Sequence, residues 1–432
     1  MPFETPGLGR KKIAVIGAGI SGMGAAWLLG QDHDVTLYEA EAALGGHART
    51  RVAGPNQVPV DTGFIVFNYA NYPKLAEMFA ALDVPVAKSN MSFGASIDGG
   101  RLEYGLASLD ALFAQRSNAL RPAYLRMIRD ILKFNRDGLV LARANPSLTI
   151  GAFLKKLGTG PWFEKYYLLP FSGAIWSTPT QQIMDFPAYA MMQFFENHAL
   201  LNATGQHQWY TVQGGSIEYV RRLEVDMLAR GVDIRLKAPV QAVTRHPGGA
   251  RVKTWGADWA SYDEVIFATH SDDTLSMLAD ARPEEQAILG AVAYQPNDVV
   301  LHSDTRVMPK RRKTWSSWVY TEDRASRSDR IDLTYWMNSL QPLPTTENFF
   351  VTLNTKRQID EALIWDQVTL RHPVYDLAAL EAQKAAKATN GRDNTWFCGA
   401  WMKNGFHEDG LSSAHDVVDA IRGLAPAQVA AE

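Results

Sequence analysis

A glycine-rich stretch near the beginning of the chain has residue types and spacing suited to holding a phosphate. Residues 13–16 (IAVI) are apolar and mostly β-branched, which predicts a strand buried on both faces. Gly17, Gly19 and Gly22 follow in the pattern G-x-G-x-x-G. The first glycine permits a tight turn, the second lets the backbone approach a pyrophosphate, and the third lets the next helix, beginning near Ser21, pack on the strand. The pattern therefore predicts an anion at the positive N-terminus of that helix.

An acidic residue lies at the distance that a dinucleotide site requires. Residues 34–38 (DVTLY) predict the second strand, and Glu39 ends it, 20 residues after Gly19. A carboxylate there can accept hydrogen bonds from both ribose hydroxyls, and its charge disfavours a 2′-phosphate, so NADP is not expected. We interpret the whole stretch as a dinucleotide-binding strand, turn and helix.

Two further glycine segments extend the pattern. Gly45 and Gly46 are followed by His47, and residues 61–64 (DTGF) come shortly afterwards. This arrangement resembles the flavin amine oxidase superfamily, in which a Gly-Gly segment lies along the diphosphate and ribityl of an extended FAD. The resemblance implies FAD as the cofactor. That superfamily usually has arginine directly after the glycine pair; here the position is His47, and Arg49 is the alternative source of positive charge.

The C-terminal part repeats the order of strand, glycine turn and helix. Residues 395–399 (TWFCG) predict an apolar strand, and residues 405–421 predict a turn that leads into a helix. In the flavin amine oxidases the equivalent helix directs its positive end at flavin N1 and the C2 carbonyl, where reduction adds negative charge. By this resemblance His407 replaces an aromatic residue that faces the flavin, and it is the candidate catalytic residue; the alternative is a surface or capping histidine. Cys398 lies in the strand rather than in a flavin-tethering motif, so non-covalent FAD is expected.

The middle of the chain adds one more cofactor segment. Strands are predicted over residues 232–236, 240–245, 251–254 and 265–268, and residues 269–272 open the next helix. This order resembles the superfamily's second passage through the FAD domain, where the backbone at the Val240 position holds the adenine. The glycine turn and the resemblance together imply the following cofactor contacts: Gly17, Ala18, Gly19, Ile20, Ser21, Gly22, Glu39, Ala40, Gly45, Gly46, His47, Thr62, Gly63, Phe64, Val240, Thr269, Gly399, Ala400, Glu408, Gly410 and Leu411. No metal-ligand spacing, nucleophile triad or Walker motif occurs, so no metal site is predicted.

The predicted fold class is α/β, with a Rossmann-like FAD-binding domain (GR2/amine oxidase type) and a mixed sheet-and-helix substrate domain. The FAD-binding domain is expected to be discontinuous, comprising residues 1–70, 209–290 and 390–432. Residues 71–208 and 291–389 would form the substrate domain. Within it, helices are predicted from residue 72 or 73 and over residues 122–143, and a hairpin over residues 89–104.

Composition narrows the class of protein. With 46% hydrophobic and 21% charged residues, the 432-residue chain is globular rather than disordered, and a net charge of −3 offers no general attraction for nucleic acid. A single cysteine fits a reducing compartment, and neither a signal peptide nor a membrane-spanning run is visible. We therefore expect a cytoplasmic enzyme. Peripheral contact with the inner membrane stays open, because the basic run at residues 310–313 lies beside two tryptophans; the alternative is a solvated loop.

Residues 161–201 are unusually rich in aromatic side chains and methionine. Such side chains suit the wall of an apolar cavity, because they are large, adaptable and uncharged. They are equally typical of a plain hydrophobic core, and composition does not decide between the two. The residues concerned are Trp162, Phe163, Tyr166, Tyr167, Phe171, Trp176, Phe186, Tyr189, Met191, Met192, Phe194 and Phe195.

A narrower resemblance suggests the substrate. Four segments, DTGFIVFN, TVQGGS, LTYWMNSLQ and GFHEDGL, look like a bacterial subfamily of predicted NAD/FAD-binding, amine oxidase-like proteins. Relatives include enzymes that act beside cyclopropane-fatty-acid-type methyltransferases, among them the flavin desaturase of furan fatty acid synthesis. The resemblance implies desaturation of a hydrophobic substrate, a methyl-branched fatty acyl chain of a lipid, and functional pairing with a lipid methyltransferase.

Two other classes of function compete with this interpretation. A flavin amine oxidase acting on a hydrophobic amine would need an aromatic cage and, in many members, a lysine near flavin N5. Residues 291–304, where that lysine is expected, contain none, and His407 replaces one cage aromatic, so amine oxidation ranks second. A non-catalytic FAD-binding protein ranks third. The sequence specifies neither the electron acceptor, the catalytic base nor the oligomeric state.

Overall fold

The computed structural model describes residues 9–176, 183–198, 200–201, 207–322 and 331–423. Its strands are β1 (Lys12–Ile16), β2 (Asp34–Tyr38), β3 (Thr50–Ala53), β4 (Val58–Asp61), β5 (Val66–Phe67), β6 (Val86–Ser89), β7 (Phe93–Ile97), β8 (Leu102–Gly105), β9 (Trp209–Val212), β10 (Asp233–Arg235), β11 (Val240–His246), β12 (Gly249–Thr254), β13 (Ala260–Tyr262), β14 (Glu264–Phe267), β15 (Ala293–His302), β16 (Trp318–Glu322), β17 (Asp332–Trp336), β18 (Phe350–Leu353), β19 (Ile364–Val374) and β20 (Thr395–Phe397).

Helices pack on the two largest of the sheets that these strands form. They are α1 (Ile20–Leu29), α2 (Pro73–Ala81), α3 (Leu109–Leu112), α4 (Pro122–Arg143), α5 (Ile150–Leu157), α6 (Pro161–Phe163), α7 (Leu169–Trp176), α8 (Ala188–Asn197), α9 (Ile217–Ala229), α10 (Ser271–Met277), α11 (Pro283–Gly290), α12 (Met337–Leu340), α13 (Leu377–Thr389) and α14 (His407–Ile421). A π-helical segment, Glu164–Leu168, joins α6 to α7. Among the described residues, no helix combines the length and the apolar character needed to cross a membrane.

A parallel sheet in the order β10-β2-β1-β14-β20 forms the centre of the nucleotide-binding half. Successive residues of β1 point to opposite faces: Ile13 and Val15 pack in one hydrophobic cluster, Ala14 and Ile16 in another. The predicted doubly buried strand is therefore confirmed. Because β1 lies between β2 and β14, their carboxyl ends meet at one edge, which is where ligands bind in open α/β sheets.

A mixed sheet in the order β19-β15-β18-β17-β16-β7-β8 forms the second half. The predicted hairpin is present as β7 and β8, with Asp98 and Gly99 at positive φ in its turn. It begins at Phe93 rather than at Ser89, because Ser89 ends β6 and pairs with β9 in a separate sheet. Helices α4 to α8 pack over this sheet, and the ring of Phe171 meets that of Phe93 at 5.2 Å.

Helices α2 and α13 pack on the nucleotide-binding half, although the predicted boundaries place them in the substrate domain. Leu75, Met78 and Phe79 of α2 are buried in the cluster that contains α1 and α14. Ala379 and Ala382 of α13 pack on the opposite face of the parallel sheet. Helix α4 begins and ends at the predicted residues 122 and 143.

A fully buried carboxylate, Asp61, connects the two halves. It accepts hydrogen bonds from the Thr50 hydroxyl at 2.5 Å, from the amide and hydroxyl of Ser216 at 2.8 Å each, and from the Gln341 side chain at 2.8 Å. The Asp61 amide donates back to Gln341 Oε1 at 3.0 Å. Thr50 and Ser216 border the nucleotide-binding half, whereas Gln341 follows β17. The Asp61 side chain therefore joins three distant parts of the chain.

The stability of the protein should depend on pH through Asp61. Burial raises the pKa of this carboxyl to about 6, whereas hydrogen bonds to the carboxylate act in the opposite direction. Since the folded pKa is above the unfolded value, the folded protein holds the proton more tightly, and the associated stability is lost as pH rises from about 4 through 6. A shift of this size corresponds to about 3 kcal/mol. We therefore expect the free energy of unfolding of wild type, measured against Asp61→Asn by urea titration, to fall between pH 4.5 and pH 7.5. A difference that does not change with pH would contradict the assignment.

Candidate active site

The glycine turn between β1 and α1 is shaped by three different contacts. Gly17 has φ +96°, a left-handed conformation that favours glycine. A β-carbon on Gly22 would lie 1.8 Å from the carbonyl oxygen of Gly17, so helix and strand can approach only with glycine there. A β-carbon on Gly19 would have no heavy atom of the described residues within 4 Å. The first and third glycines are thus required by the fold, whereas the second borders open space, as a phosphate site requires.

The second glycine pair lies directly against this turn. Gly45 and Gly46 both have positive φ, and a β-carbon on Gly46 would be 3.1 Å from Cα of Gly19. The amide of Gly45 donates to the carbonyl of Ala18 at 2.9 Å. The structure therefore brings the two predicted glycine segments together at the end of β1.

The acid predicted to bind the ribose is at the carboxyl end of β2. Glu39 accepts the amide of Ala18 at 2.8 Å, which places its carboxylate beside the glycine turn. The backbone of Glu39 pairs with the segment that leads to Val240: its amide donates to the carbonyl of Arg235, and its carbonyl accepts the amide of Ala238. Val240 begins β11 close to this segment, and the exposed Ala40 follows the acid.

The N-termini of α1 and α14 converge on the same edge. A β-carbon on Gly410 would lie 2.8 Å from the Ser21 hydroxyl and 2.9 Å from the Ile20 side chain. Gly399, with φ +152°, donates its amide to Ser413 at 2.9 Å and so ties the end of β20 to α14; Ala400 follows it. Two helices thus direct their unbonded amides and positive ends to one place, which favours an anion.

Two residues assigned to the cofactor have other contacts. Both carboxylate oxygens of Glu408 accept backbone amides at the start of α2, from Lys74 and Leu75, at 2.9 Å each, so this side chain caps α2. Leu411 is buried, and its side chain packs on Gly24 of α1. The amide of Gly410 already bonds to the carbonyl of Phe406, so the unbonded amides of α14 lie before Leu411.

His407 begins α14 and is held by two aromatic side chains. Its ring stacks on Phe64 with centroids 3.9 Å apart and planes 9° apart, and its Nε2 is 2.6 Å from the hydroxyl of Tyr219. Burial raises the pKa of Tyr219 far above its usual value, so the hydroxyl keeps its proton and donates to Nε2. Burial also lowers the pKa of His407 to about 3. The histidine is therefore neutral at physiological pH, and its orientation is fixed.

A close approach of two loops brings Phe64 to His407. A β-carbon on Gly63 would lie 1.9 Å from the carbonyl oxygen of His47, and the amide of Phe64 donates to that same oxygen at 2.8 Å. Thr62 both accepts from the Arg49 guanidinium and donates to the Arg49 carbonyl. The segments 45–49 and 62–64 thus form one layer over the edge of the sheet.

Three histidine rings from distant parts of the chain meet beside the glycine segments. The His47 ring is 6.0 Å from that of His270 and 5.4 Å from that of His372, centroid to centroid. His270 follows Thr269 at the carboxyl end of β14, and Thr269 lies against Gly17. The sequence pattern indicated only His47. The signal for His270 was its place directly after a strand of the parallel sheet, whereas nothing local marks His372.

The arginines near this cluster have acidic partners. Arg49 forms a bidentate pair with Asp366 of β19, so its charge is already neutralised there and does not replace the arginine expected at position 47. Arg371 contacts both Asp272 and Asp273 at 2.5 Å. These two aspartates and His270 are near enough to one another to chelate an ion, but Arg371 occupies both carboxylates, and we assign no metal to them.

The aromatic side chains of residues 161–201, called the aromatic segment below, lie in two environments. Most of its rings form the core of the helical layer, as shown by Phe163, Tyr167 and Phe195, each less than 5% exposed. Phe194 is different, because its ring stacks on Phe406, the residue before His407, at 5.3 Å. The segment therefore reaches the start of α14. The side chain of Trp176 and residues 177–182 lie outside the described residues.

Most side chains of the basic run at residues 310–313 contact other residues of the protein. Three of its four side chains have partners: Glu103 for Arg311 at 2.7 Å, Asp110 for Lys313 at 2.7 Å, and the Trp315 ring for Arg312 at 3.6 Å. Lys310 is exposed. The run consequently offers less free charge than its sequence suggests.

The residues at this edge fit FAD. The open space over Gly19, the carboxylate of Glu39 and the convergent helix N-termini match a ribose, a diphosphate and an electron-poor ring. A buried atom, Nε2 of His47, has no hydrogen-bond partner among the described residues and so has capacity for a ligand. Fold and site together define an FAD-dependent oxidoreductase with a nucleotide-binding half and a substrate half.

Comparison with known proteins agrees. The family described as flavin containing amine oxidoreductase matches residues 20–396, and the chain belongs to this family. No match was found among curated proteins.

Solved structures share the fold across nearly the whole chain. A conjugated-linoleic-acid (CLA)-producing fatty acid isomerase from P. acnes is 16% identical with a TM-score of 0.65, covering 96% of this chain and 99% of that one. Cyclohexylamine oxidase from Brevibacterium oxydans IH-35A is 14% identical with a TM-score of 0.69 and the same coverage. Putrescine oxidase bound to putrescine is 14% identical with a TM-score of 0.68, again with 96% and 99% coverage. At these identities the likeness concerns the fold.

Proposed function

We propose that this flavin-dependent oxidoreductase desaturates a hydrophobic acyl chain, with a methyl-branched fatty acyl chain of a lipid as its substrate. The observation that carries the proposal is the character of the side chains around His407. Phe64, Tyr219 and Phe406 are aromatic, and His407 itself stays neutral. An alkyl chain needs no charged anchor beside the reacting carbon, only alignment and the exclusion of water.

The two acidic residues that follow His407 in the chain accept hydrogen bonds from backbone amides. Glu408 caps α2, and Asp409 accepts the amide of Phe406 at 2.9 Å. Burial raises the pKa of Asp409 to about 6, which further weakens it as a binding partner for an ammonium group. These contacts disfavour a charged amine at this place.

The aromatic segment adjoins this site. His198 stacks on Phe194 at 3.9 Å, and Phe194 stacks on Phe406, so rings of α8 continue to the residue before His407. The fold likeness to a fatty acid isomerase supports an acyl chain as the class of substrate.

Desaturation removes two hydrogens from adjacent carbons, and bound FAD would take up both, one as a hydride and one as a proton. With its low pKa, His407 is a weak proton acceptor, and we assign it the role of positioning the chain. Tyr219 holds the ring through its hydroxyl, and Phe64 supports it from one side. FAD is bound without a covalent link in this proposal.

A flavin amine oxidase acting on a hydrophobic amine is the second candidate. It is favoured by the fold likeness to cyclohexylamine oxidase and putrescine oxidase. Against it, residues 291–304, which include strand β15, contain no lysine. In addition, Glu408 and Asp409, beside His407, are already hydrogen-bonded to backbone amides. Peripheral contact with the inner membrane and pairing with a lipid methyltransferase belong to the first proposal, since both would deliver the branched acyl chain.

Expression with and without a lipid methyltransferase tests the reaction. We expect mass spectrometry of the acyl chains to show a branched species that has lost two hydrogens when both proteins are present. The Gly19→Val variant, which should lack the cofactor, is the matched control and should leave the lipids unchanged. An unaltered lipid profile together with peroxide formation from amines would instead support the second candidate.

A further inference from the structure

His47 lies where positive charge should neutralise the cofactor's diphosphate, yet the described residues around it contain no unpaired guanidinium or ammonium group. It directly follows the glycine pair that lies against Gly19, and its buried Nε2 has no partner among the described residues. The nearest guanidinium groups belong to Arg49 and Arg371, and both are held by aspartates. A diphosphate bound here would bring negative charge that these pairs do not balance.

Three other imidazole rings lie around His47. The titratable and charged groups around His47 come from each element packed against it: His270 at the start of α10, Arg371 and His372 of β19, and His407 of α14. Behind them lie Asp272 and Asp273, which pair with Arg371, and the Arg49–Asp366 pair. Asn297 contacts Nδ1 of His372 at 2.7 Å, and its side-chain nitrogen can only donate, so that ring carries its proton on Nε2. The cluster thus offers imidazoles rather than permanent cations.

We propose that His47 takes up a proton when FAD binds, so that an imidazolium formed on binding replaces the missing arginine beside the diphosphate. The proposal rests on FAD as the cofactor and is independent of the substrate.

The electrostatics give the sign of the effect. Burial lowers the pKa of His47 below its usual value, and it lowers those of His270 and His372 to about 3, so these rings are neutral near pH 7 without an anion. A phosphate within hydrogen-bonding distance favours the charged form of His47. The backbone carbonyl of Arg371 also raises the pKa of His47, whereas the guanidinium charge of Arg371 lowers it. By linkage, a group whose pKa rises on binding makes binding tighter as pH falls, by up to about tenfold per pH unit for one proton.

Titration of apoprotein with FAD tests the proposal. Calorimetry at pH 7 in buffers of different ionisation enthalpy should show uptake approaching about one proton for wild type. The dissociation constant should rise with pH between 6 and 8.5. His47→Arg supplies a permanent charge, so it should bind FAD with no proton uptake and little dependence on pH. His47→Gln should bind more weakly at pH 6 and equally lack uptake.

The controls separate this proposal from the cofactor assignment. His415→Gln changes a half-buried histidine further along α14 and should behave as wild type. If wild type binds FAD without proton uptake, or if His47→Gln keeps the wild-type affinity and pH dependence, the proposal is overturned; a neutral Nε2 accepting a ribityl hydroxyl would give that result. Failure of wild type to bind FAD at all would instead refute the cofactor. His47→Arg keeps the test decisive even if His47→Gln does not fold.

Discussion

Gly19→Val is expected to give a folded protein that contains almost no flavin. The side chain would enter the space above the glycine turn, where a β-carbon meets no protein atom within 4 Å, so the apoprotein fold should tolerate it. The same side chain would occupy the volume of the pyrophosphate, which only glycine leaves free. Flavin absorbance of the purified protein and FAD released on denaturation measure the loss, while circular dichroism and the melting temperature report the fold.

Two other glycines provide controls for this variant. Gly290→Val, at the exposed end of α11, should keep its flavin, because a β-carbon there would make only an ordinary contact with Leu275 Cδ2 at 3.8 Å. Gly22→Val should damage the fold itself, because the β-carbon would be 1.8 Å from the Gly17 carbonyl oxygen. A yellow Gly19→Val protein with normal FAD content would show that the diphosphate lies elsewhere.

His407→Ala is expected to retain FAD and to lower turnover by about 10²-fold. The substitution removes a ring that stacks on Phe64 and accepts the Tyr219 hydroxyl, so substrate beside it would lose its alignment, and misplacement of about 1 Å can have an effect of this size. Because the pKa of His407 is about 3, its protonation should not appear in the pH profile of wild-type turnover above about pH 4. Steady-state kinetics with the flavin content of each preparation measure both effects.

Replacement by phenylalanine distinguishes the ring from its nitrogen atoms. His407→Phe keeps a planar ring against Phe64 but cannot accept the Tyr219 hydroxyl, so it should recover only part of the lost turnover. His415→Ala, on the same helix, is the control and should be normal. If His407→Ala had the turnover of wild type, His407 would have only a structural role.

Local sequence patterns correctly predicted the elements whose structure depends mainly on neighbouring residues. The glycine turn and its strand are as expected, because backbone sterics and a doubly buried strand leave few alternatives. Helix α4 has the predicted bounds, but the spacing of its apolar residues does not by itself show which of them are buried. Leu125 and Leu132 are 45% and 57% exposed, whereas Tyr124 and Met127 are fully buried. Apolar residues occur all around this helix, and the packing partners, which the sequence does not show, select the buried face.

The histidine cluster shows where local patterns stop being informative. His47, His270 and His372 are separated by more than 100 residues each along the chain and meet only after three elements have packed. The role of Glu408 likewise depends on residues that are distant in the chain. An acidic residue at the start of a helix can have several roles, and only the position of α2 makes the Glu408 side chain the cap of that helix. Such roles depend on tertiary geometry.

The discontinuous parallel sheet limits how this enzyme can be divided or recombined. Its strands come from residues 12–38, 233–267 and 395–397, so no single cut in the chain separates the cofactor half from the substrate half. Asp61 adds a bridge from Thr50 and Ser216 to Gln341. A chimera with another family member must therefore exchange both substrate segments together and keep the Asp61 and Gln341 pair matched, and fragments that end before β20 will lack an edge strand and the helix that follows it.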